Sequence, residues 1–187
     1  MTKSKENLFL RDVQKLRAAA RKSLEDGAVT PNYAGNVETA IDLLQSALAT
    51  EIVCVLRYTM NAISVVGLSS KSVAAEFQEH AADEQQHMTA IAERIDKLGG
   101  TPNFDPQGLA ARASTEYGSG GTLVEMVKQN LIAERIAIEH YRDLIAYFSE
   151  KDPTTRLMLE HILKDEEDHA TDMHDLLIAH EGVPMLK

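Results

Sequence analysis

Two short runs of this 187-residue chain set a glutamate and a histidine three residues apart. They are DEQQH at 83–87, holding Glu84 and His87, and DEEDH at 165–169, holding Glu166 and His169. On a helix that spacing turns both side chains toward one face. In so acidic a chain a single E-x-x-H reads as solvated surface. The second copy changes the reading, because matching partners lie upstream of both. Glu51 precedes Glu84 by 33 residues and Glu134 precedes Glu166 by 32, and each is followed seven residues later by a tyrosine, Tyr58 and Tyr141. Seven residues are two helical turns, so each pair shares a face. The chain is a twofold repeat of E-x6-Y followed by E-x-x-H.

The chemistry follows from where such residues would sit. Glu51 lies on an apolar stripe with Leu44, Leu48, Val55, Tyr58 and Ala62, and Glu134 lies with Leu131, Ala137, Ile138 and Tyr141. A carboxylate buried among aliphatic side chains is costly unless it is paired or coordinated. No Lys or Arg repeats beside these glutamates, so two cations of charge two or three are the natural balance for four carboxylates. Mixed oxygen and imidazole donors suit iron or manganese, with zinc as a competitor. One Glu from each of two helices plus an E-x-x-H from each of two more is a recurring ligand set of di-iron and di-manganese helical bundles. Glu51, Glu84, His87, Glu134, Glu166 and His169 are therefore the expected metal ligands and catalytic residues. Tyr58 and Tyr141 read either as core aromatics with hydrogen-bonded hydroxyls or as outer partners of the ligands.

Four long helices must position these groups. Apolar residues recur at a three-to-four step over about 37–66, 72–98, 122–149 and 153–180, with Asp152 and Pro153 as N-cap and first helical position of the last. GLSSK after the first helix and SEKDP after the third are short enough to force antiparallel hairpins. Between the second and third lies GGTPNFDPQGLAARASTEYGSGG, with a short helix expected at GLAARAS. A helix of about 26 residues is about 39 Å long, a span this linker can cover, so the second and third helices can run parallel. The fold class is all-α: a ferritin-like four-helix bundle over 37–187 with a long crossover between helices two and three, preceded by a helical N-terminal extension over 1–36.

Charge and composition bound the partners. The net charge is −10, but residues 1–24 carry seven basic residues against two acids, leaving the remainder strongly acidic. Such a body attracts cations and repels nucleic acid. The basic leading segment reads as an amphipathic helix packing on the protein, with DNA binding the less favoured use. One cysteine, Cys54, forms no internal disulfide and reads as packing, which fits a cytoplasmic protein. No signal peptide and no apolar run long enough to span a bilayer is evident, so no membrane partner is expected.

The stretches EFQEHAADEQQHMTAIAERIDKLGGTPN and LIAERIAIEHYRDLIAYFSEKDPTTRLMLEHILKDEEDHATDMHDLL resemble the second helix and the third and fourth helices of bacterioferritins. That resemblance spans about 37–180. It implies Glu51 and Glu134 as terminal carboxylates, Glu84 and Glu166 as bridges, and His87 and His169 each capping one iron. The implied activity is ferroxidase, with Fe(II) and O2 or H2O2 as reactants and a mineral store inside a homo-oligomeric shell. Gln85 stands where bacterioferritins place a haem-ligating Met, so haem is not expected. The chain stops at EGVPMLK with no fifth helix, which resembles the Dps-like mini-ferritins and favours twelve subunits over twenty-four. Glu79 and Asp83 resemble inner-surface iron-feeding positions, with solvated acids as the plainer reading. His80 reads as a hydrogen-bonded core histidine ahead of an outer ligand, and His140, His161, His174 and His180 fall off the stripe. A rubrerythrin-like peroxidase would need a four-cysteine site. A DNA-protecting shell protein and a di-metal oxidase or manganese-catalase-like enzyme are the competing functions.

Overall fold

The computed structural model describes residues 12–22, 24–66, 70–118 and 120–181. These form α1 (Val13–Ala19), a 3-10 turn at Leu24–Asp26, α2 (Val37–Ser64), α3 (Ser70–Lys97), α4 (Leu109–Arg112), α5 (Leu123–Phe148) and α6 (Pro153–Glu181), with no strand among the described residues. The expected GLSSK connection falls partly, and the EGVPMLK end almost wholly, outside the described residues, as do the first eleven residues of the basic segment. Among the described residues from Asp12 to Asn36, the extension holds α1 and the 3-10 turn as helix and no other.

Local chemistry sets the starts of α2, α5 and α6 and the end of α3. Asn36 caps α2, its Oδ1 accepting from Thr39 N at 2.8 Å. Thr122 and Glu125 form a reciprocal capping box at the start of α5. Asp152 caps α6, accepting from Thr155 N at 2.9 Å, with Pro153 behind it where a missing N–H costs nothing. Gly99, at φ +84°, ends α3 in the left-handed conformation that lets Gly100 N reach back to Ile95 O at 3.0 Å.

The helices pair as two hairpins, α2 with α3 and α5 with α6. Side-chain links fix the direction of the remaining pairs. Tyr58 on α2 meets Glu134 on α5 while Tyr141 on α5 meets Glu51 on α2, so these two helices are antiparallel. His87 meets Asp165, and two turns further along α3 Arg94 meets Asp152, earlier in the chain than Asp165, so α3 and α6 are antiparallel too. It follows that α3 and α5 run parallel, as the long crossover requires.

That crossover is fastened along α2 residue by residue. Gln45 grips Thr101 O at 2.8 Å and Asn103 N at 2.9 Å. Ser46 donates to Arg112 O at 3.1 Å at the end of α4, and Thr50 Oγ1 accepts from Ser114 N at 2.9 Å just past it. Arg57 completes the series. Fully buried, it donates from Nη1 to Glu116 O at 3.0 Å and from Nε to Asn130 Oδ1 at 2.7 Å on α5.

Two apolar clusters fill the bundle. One, around Leu44, Leu48, Ile91, Ile95, Phe148 and Leu159, occupies the end near the α3 C-terminus. The other, around Tyr58, Phe77, Val127 and Met173, occupies the opposite end. Between them lies a layer of buried polar groups. The expectation that no apolar run is long enough to span a bilayer does not hold for α2. By length and composition α2 does qualify as a helix able to cross a membrane, but half of its most apolar window is buried in the bundle. It also carries Glu51 and Arg57 on its buried side, as befits a core helix.

Candidate metal centre

The buried layer contains all six expected ligands. Glu51 comes from α2, Glu84 and His87 from α3, Glu134 from α5, and Glu166 and His169 from α6. The four glutamates have no solvent exposure, and His87 and His169 are 6% and 4% exposed. Their donor atoms fall into two sets. Glu51, Glu84, His87 and Glu166 bring one atom each within 4.8 Å of one another, and so do Glu84, Glu134, Glu166 and His169. Glu84 and Glu166 belong to both. A twofold repeat in the sequence has become a twofold arrangement in space.

The inward atoms lack partners of their own. Glu51 Oε2, Glu134 Oε2, both oxygens of Glu84 and of Glu166, and Nδ1 of both imidazoles are buried without a hydrogen bond. His87 Nδ1 lies 3.2 to 3.4 Å from oxygens of Glu51, Glu84 and Glu166 yet is directed at none of them. His169 Nδ1 lies 3.6 Å from Glu84 and 3.8 Å from Glu166. Eight unpaired buried atoms would be a heavy penalty in a finished core. Around cations at about 2.1 Å, neighbouring donors are about 3.0 to 3.4 Å apart, so the donor set fits a pair of such ions.

The outward atoms, in contrast, face partners, and three of the four are hydrogen-bonded. Tyr58 donates to Glu134 Oε1 and Tyr141 to Glu51 Oε1, each across the α2–α5 pair. Burial, then the facing carboxylate, pushes both phenols well above their ordinary range, so they stay neutral donors. His87 Nε2 meets Asp165 Oδ2 at 3.3 Å and His169 Nε2 faces Asp83 Oδ2 at 3.6 Å, again crosswise between α3 and α6. The role of Asp165 was missed in the sequence, although the aspartate preceding each E-x-x-H glutamate was a repeated signal.

Protons balance the charge of the protein alone. Burial, reinforced by Glu84 and Glu166, raises the Glu51 carboxyl well above its usual range. Burial, with Glu166 and Glu84, does the same to Glu134. Burial opposes ionisation of Glu84 as well, but His169 and His87 outweigh it and hold that carboxyl low. Burial disfavours the imidazolium forms, yet Glu166 with Glu51 and Glu84 raises His87, and Glu166 with Glu84 pushes His169 up to about 11.

Other residues fall into place around the centre. His80 is buried but not as the hydrogen-bonded core histidine expected: its Nδ1 has no partner, and its ring stacks on His169 at 4.1 Å. Glu79 and Asp83 line an acidic pocket beside His169. Cys54 is buried between Arg57 and Thr115, where it packs the crossover. Among the histidines off the stripe, His161 lines a hollow beside His87, His174 lies 3.4 Å from Asp175 and His180 meets Leu176 O at 2.9 Å.

Fold and centre together define a ferritin-like carboxylate bundle. Residues 41–180 match the Ferritin-like domain family, and the chain belongs to that family. It is 28% identical over 145 residues to the DNA protection during starvation protein of Pyrococcus furiosus, covering 76% of this chain and 78% of the relative. To the bacterioferritin of Desulfovibrio desulfuricans it is 27% identical over 143 residues, covering 74% and 76%. Among solved structures, a dodecameric thioferritin, the bacterioferritin-related protein of Bacteroides fragilis, is 35% identical with a TM-score of 0.76, covering 82% of this chain and 94% of that one.

Proposed function

We propose that the protein is a ferroxidase that takes Fe(II) as substrate, oxidises it with O2 or H2O2 and stores Fe(III) in a homo-oligomeric shell. The observation that carries this reading is the pair of four-residue donor sets sharing Glu84 and Glu166. Glu51 and His87 hold one iron, Glu134 and His169 the other, and Glu84 and Glu166 bridge them. Two ferrous ions held so close supply two electrons together to one oxidant molecule. Tyr58 and Tyr141 fix the carboxylates from outside, so each turns its free oxygen inward. Asp165 holds the His87 imidazole with Nδ1 inward, the orientation that outer carboxylates give metal-bound histidines, and Asp83 faces His169 from the matching side at 3.6 Å. The likeness to a dodecameric relative supports a shell of twelve.

The test is rapid mixing of the anaerobic Fe(II)-loaded protein with oxidant. A fast absorbance rise should consume about two Fe(II) per chain, one for each donor set. Glu84→Ala and Glu166→Ala should each abolish the fast phase while leaving a folded helical protein. A wild-type protein that oxidises iron no faster than buffer would end this reading. Manganese or zinc bound more tightly than iron would redirect it toward a di-metal oxidase or manganese-catalase-like enzyme.

A further inference from the structure

One turn outside the buried centre lies a second meeting of histidine and carboxylates. Glu76 and His80 are four apart on one face of α3, and His80 is in turn four before Glu84. Across from them Asp172 stands three after His169 on α6. His80 is only 2% exposed, while the side chains of Glu76 and Asp172 are 35% and 49% exposed. The histidine is thus anchored in protein and its two partners open to solvent. Its Nε2 lies 3.6 Å from Glu76 Oε1 and 3.5 Å from Asp172 Oδ2. Those separations are too long for good hydrogen bonds. They are close to the ~3.4 Å between donors that a tetrahedral cation imposes at ~2.1 Å from each. The three donor atoms all lie within 4.8 Å of one another.

The surroundings point the same way. The triad belongs to a pocket of about 240 Å³ whose lining is carboxylates and the two imidazoles of His80 and His169. Lys164 reaches only its rim, pairing with Asp168 at 2.7 Å. A negative hollow of this kind concentrates cations. The stacked rings of His80 and His169 link the triad to the centre, leaving a step of about one helical turn between them.

We propose that Glu76, His80 and Asp172 form a third divalent-cation site, at the mouth of the acidic pocket, that captures Fe(II) from solvent and hands it inward past His169. The hand-over rests on the ferroxidase reading; the cation site itself does not.

Zinc-soaked crystals test it by anomalous scattering. Wild type should show a peak between Glu76, His80 and Asp172 besides those of the centre, and Glu76→Gln/Asp172→Asn should lose that peak alone. Glu84→Ala should keep it while losing density at the centre. Wild-type crystals with zinc at the centre and none at the triad would overturn the proposal. Zinc at the triad with none between His87 and His169 would keep the third site and reject the dinuclear reading instead. In solution, Glu76→Gln/Asp172→Asn should slow Fe(II) oxidation several-fold at low iron. An unchanged rate at low iron would remove the hand-over.

Discussion

At the scale of residues, protons and cations compete for Glu51, Glu134, His87 and His169. In the metal-free protein Glu51, Glu134, His87 and His169 all hold protons more tightly than they would in an unfolded chain. A group raised in this way favours the folded state fully below its unfolded value, and that contribution is lost as pH rises toward its folded value. For His169 the window runs from about 6.5 to about 11, and the glutamates begin to lose theirs above the ordinary carboxyl value near 4.5. Cation binding must expel these protons, so affinity should rise with pH. Zinc should therefore raise the thermal midpoint more at pH 8 than at pH 6, with measurable proton release in weak buffer; a pH-independent shift would contradict the assignment. Tyr141→Phe leaves the buried Glu51 Oε1 without its donor and should destabilise the metal-free protein by about 1–3 kcal/mol, read by denaturant unfolding. The six residues of the buried layer were legible because the E-x6-Y and E-x-x-H repeat is linear. The crossing of Tyr58 to Glu134 and Tyr141 to Glu51 was not, because spacing along one helix does not reveal which helix faces it.

Among the elements, punctuation was the most readable feature. Asp152-Pro153, Gly99-Gly100 and the glycines near 120 mark the observed ends of α6, α3 and the crossover, since caps and left-handed turns depend on local chemistry. What escaped the sequence is what depends on distant partners. Arg57 looks like one more surface cation on a helix, and only the path of the crossover explains its burial against Glu116 O and Asn130. Asp152 likewise does more than cap. Its Oδ2 also accepts from Arg94 Nη2 at 2.8 Å and from Tyr33 Oη at 3.0 Å, tying α3 and the N-terminal extension to the start of α6. Asp152→Ala should thus cost more than a cap, about 2–4 kcal/mol. Asp152→Asn, which keeps a capping oxygen but loses the charge, should cost less. Equal losses in thermal or denaturant unfolding would mean that the cap alone matters.

At the scale of the whole molecule, oxidation and storage make different demands. All six proposed ligands belong to one chain, so the chemistry needs no neighbour. Retention of iron needs a closed compartment. The outer face of α2 offers a surface for building one: Leu56 and Ile63, two turns apart, are 49% and 78% exposed, and Val66 beyond them is 81% exposed. Large apolar side chains grouped on one helix face mark an interaction surface. Twelve copies of the 20.6 kDa chain would give a particle of about 250 kDa by light scattering. Leu56→Asp/Ile63→Asp puts charge on that exposed apolar face and should break the particle into smaller species. The separated chains should keep the fast oxidation of Fe(II), since Glu51, Glu84 and their partners are untouched. Their iron should precipitate instead of co-eluting with protein, whereas wild type carries it through gel filtration. If the fast phase were lost together with the particle while each chain stayed helical, the centre would need a neighbouring subunit, and the one-chain assignment would be wrong.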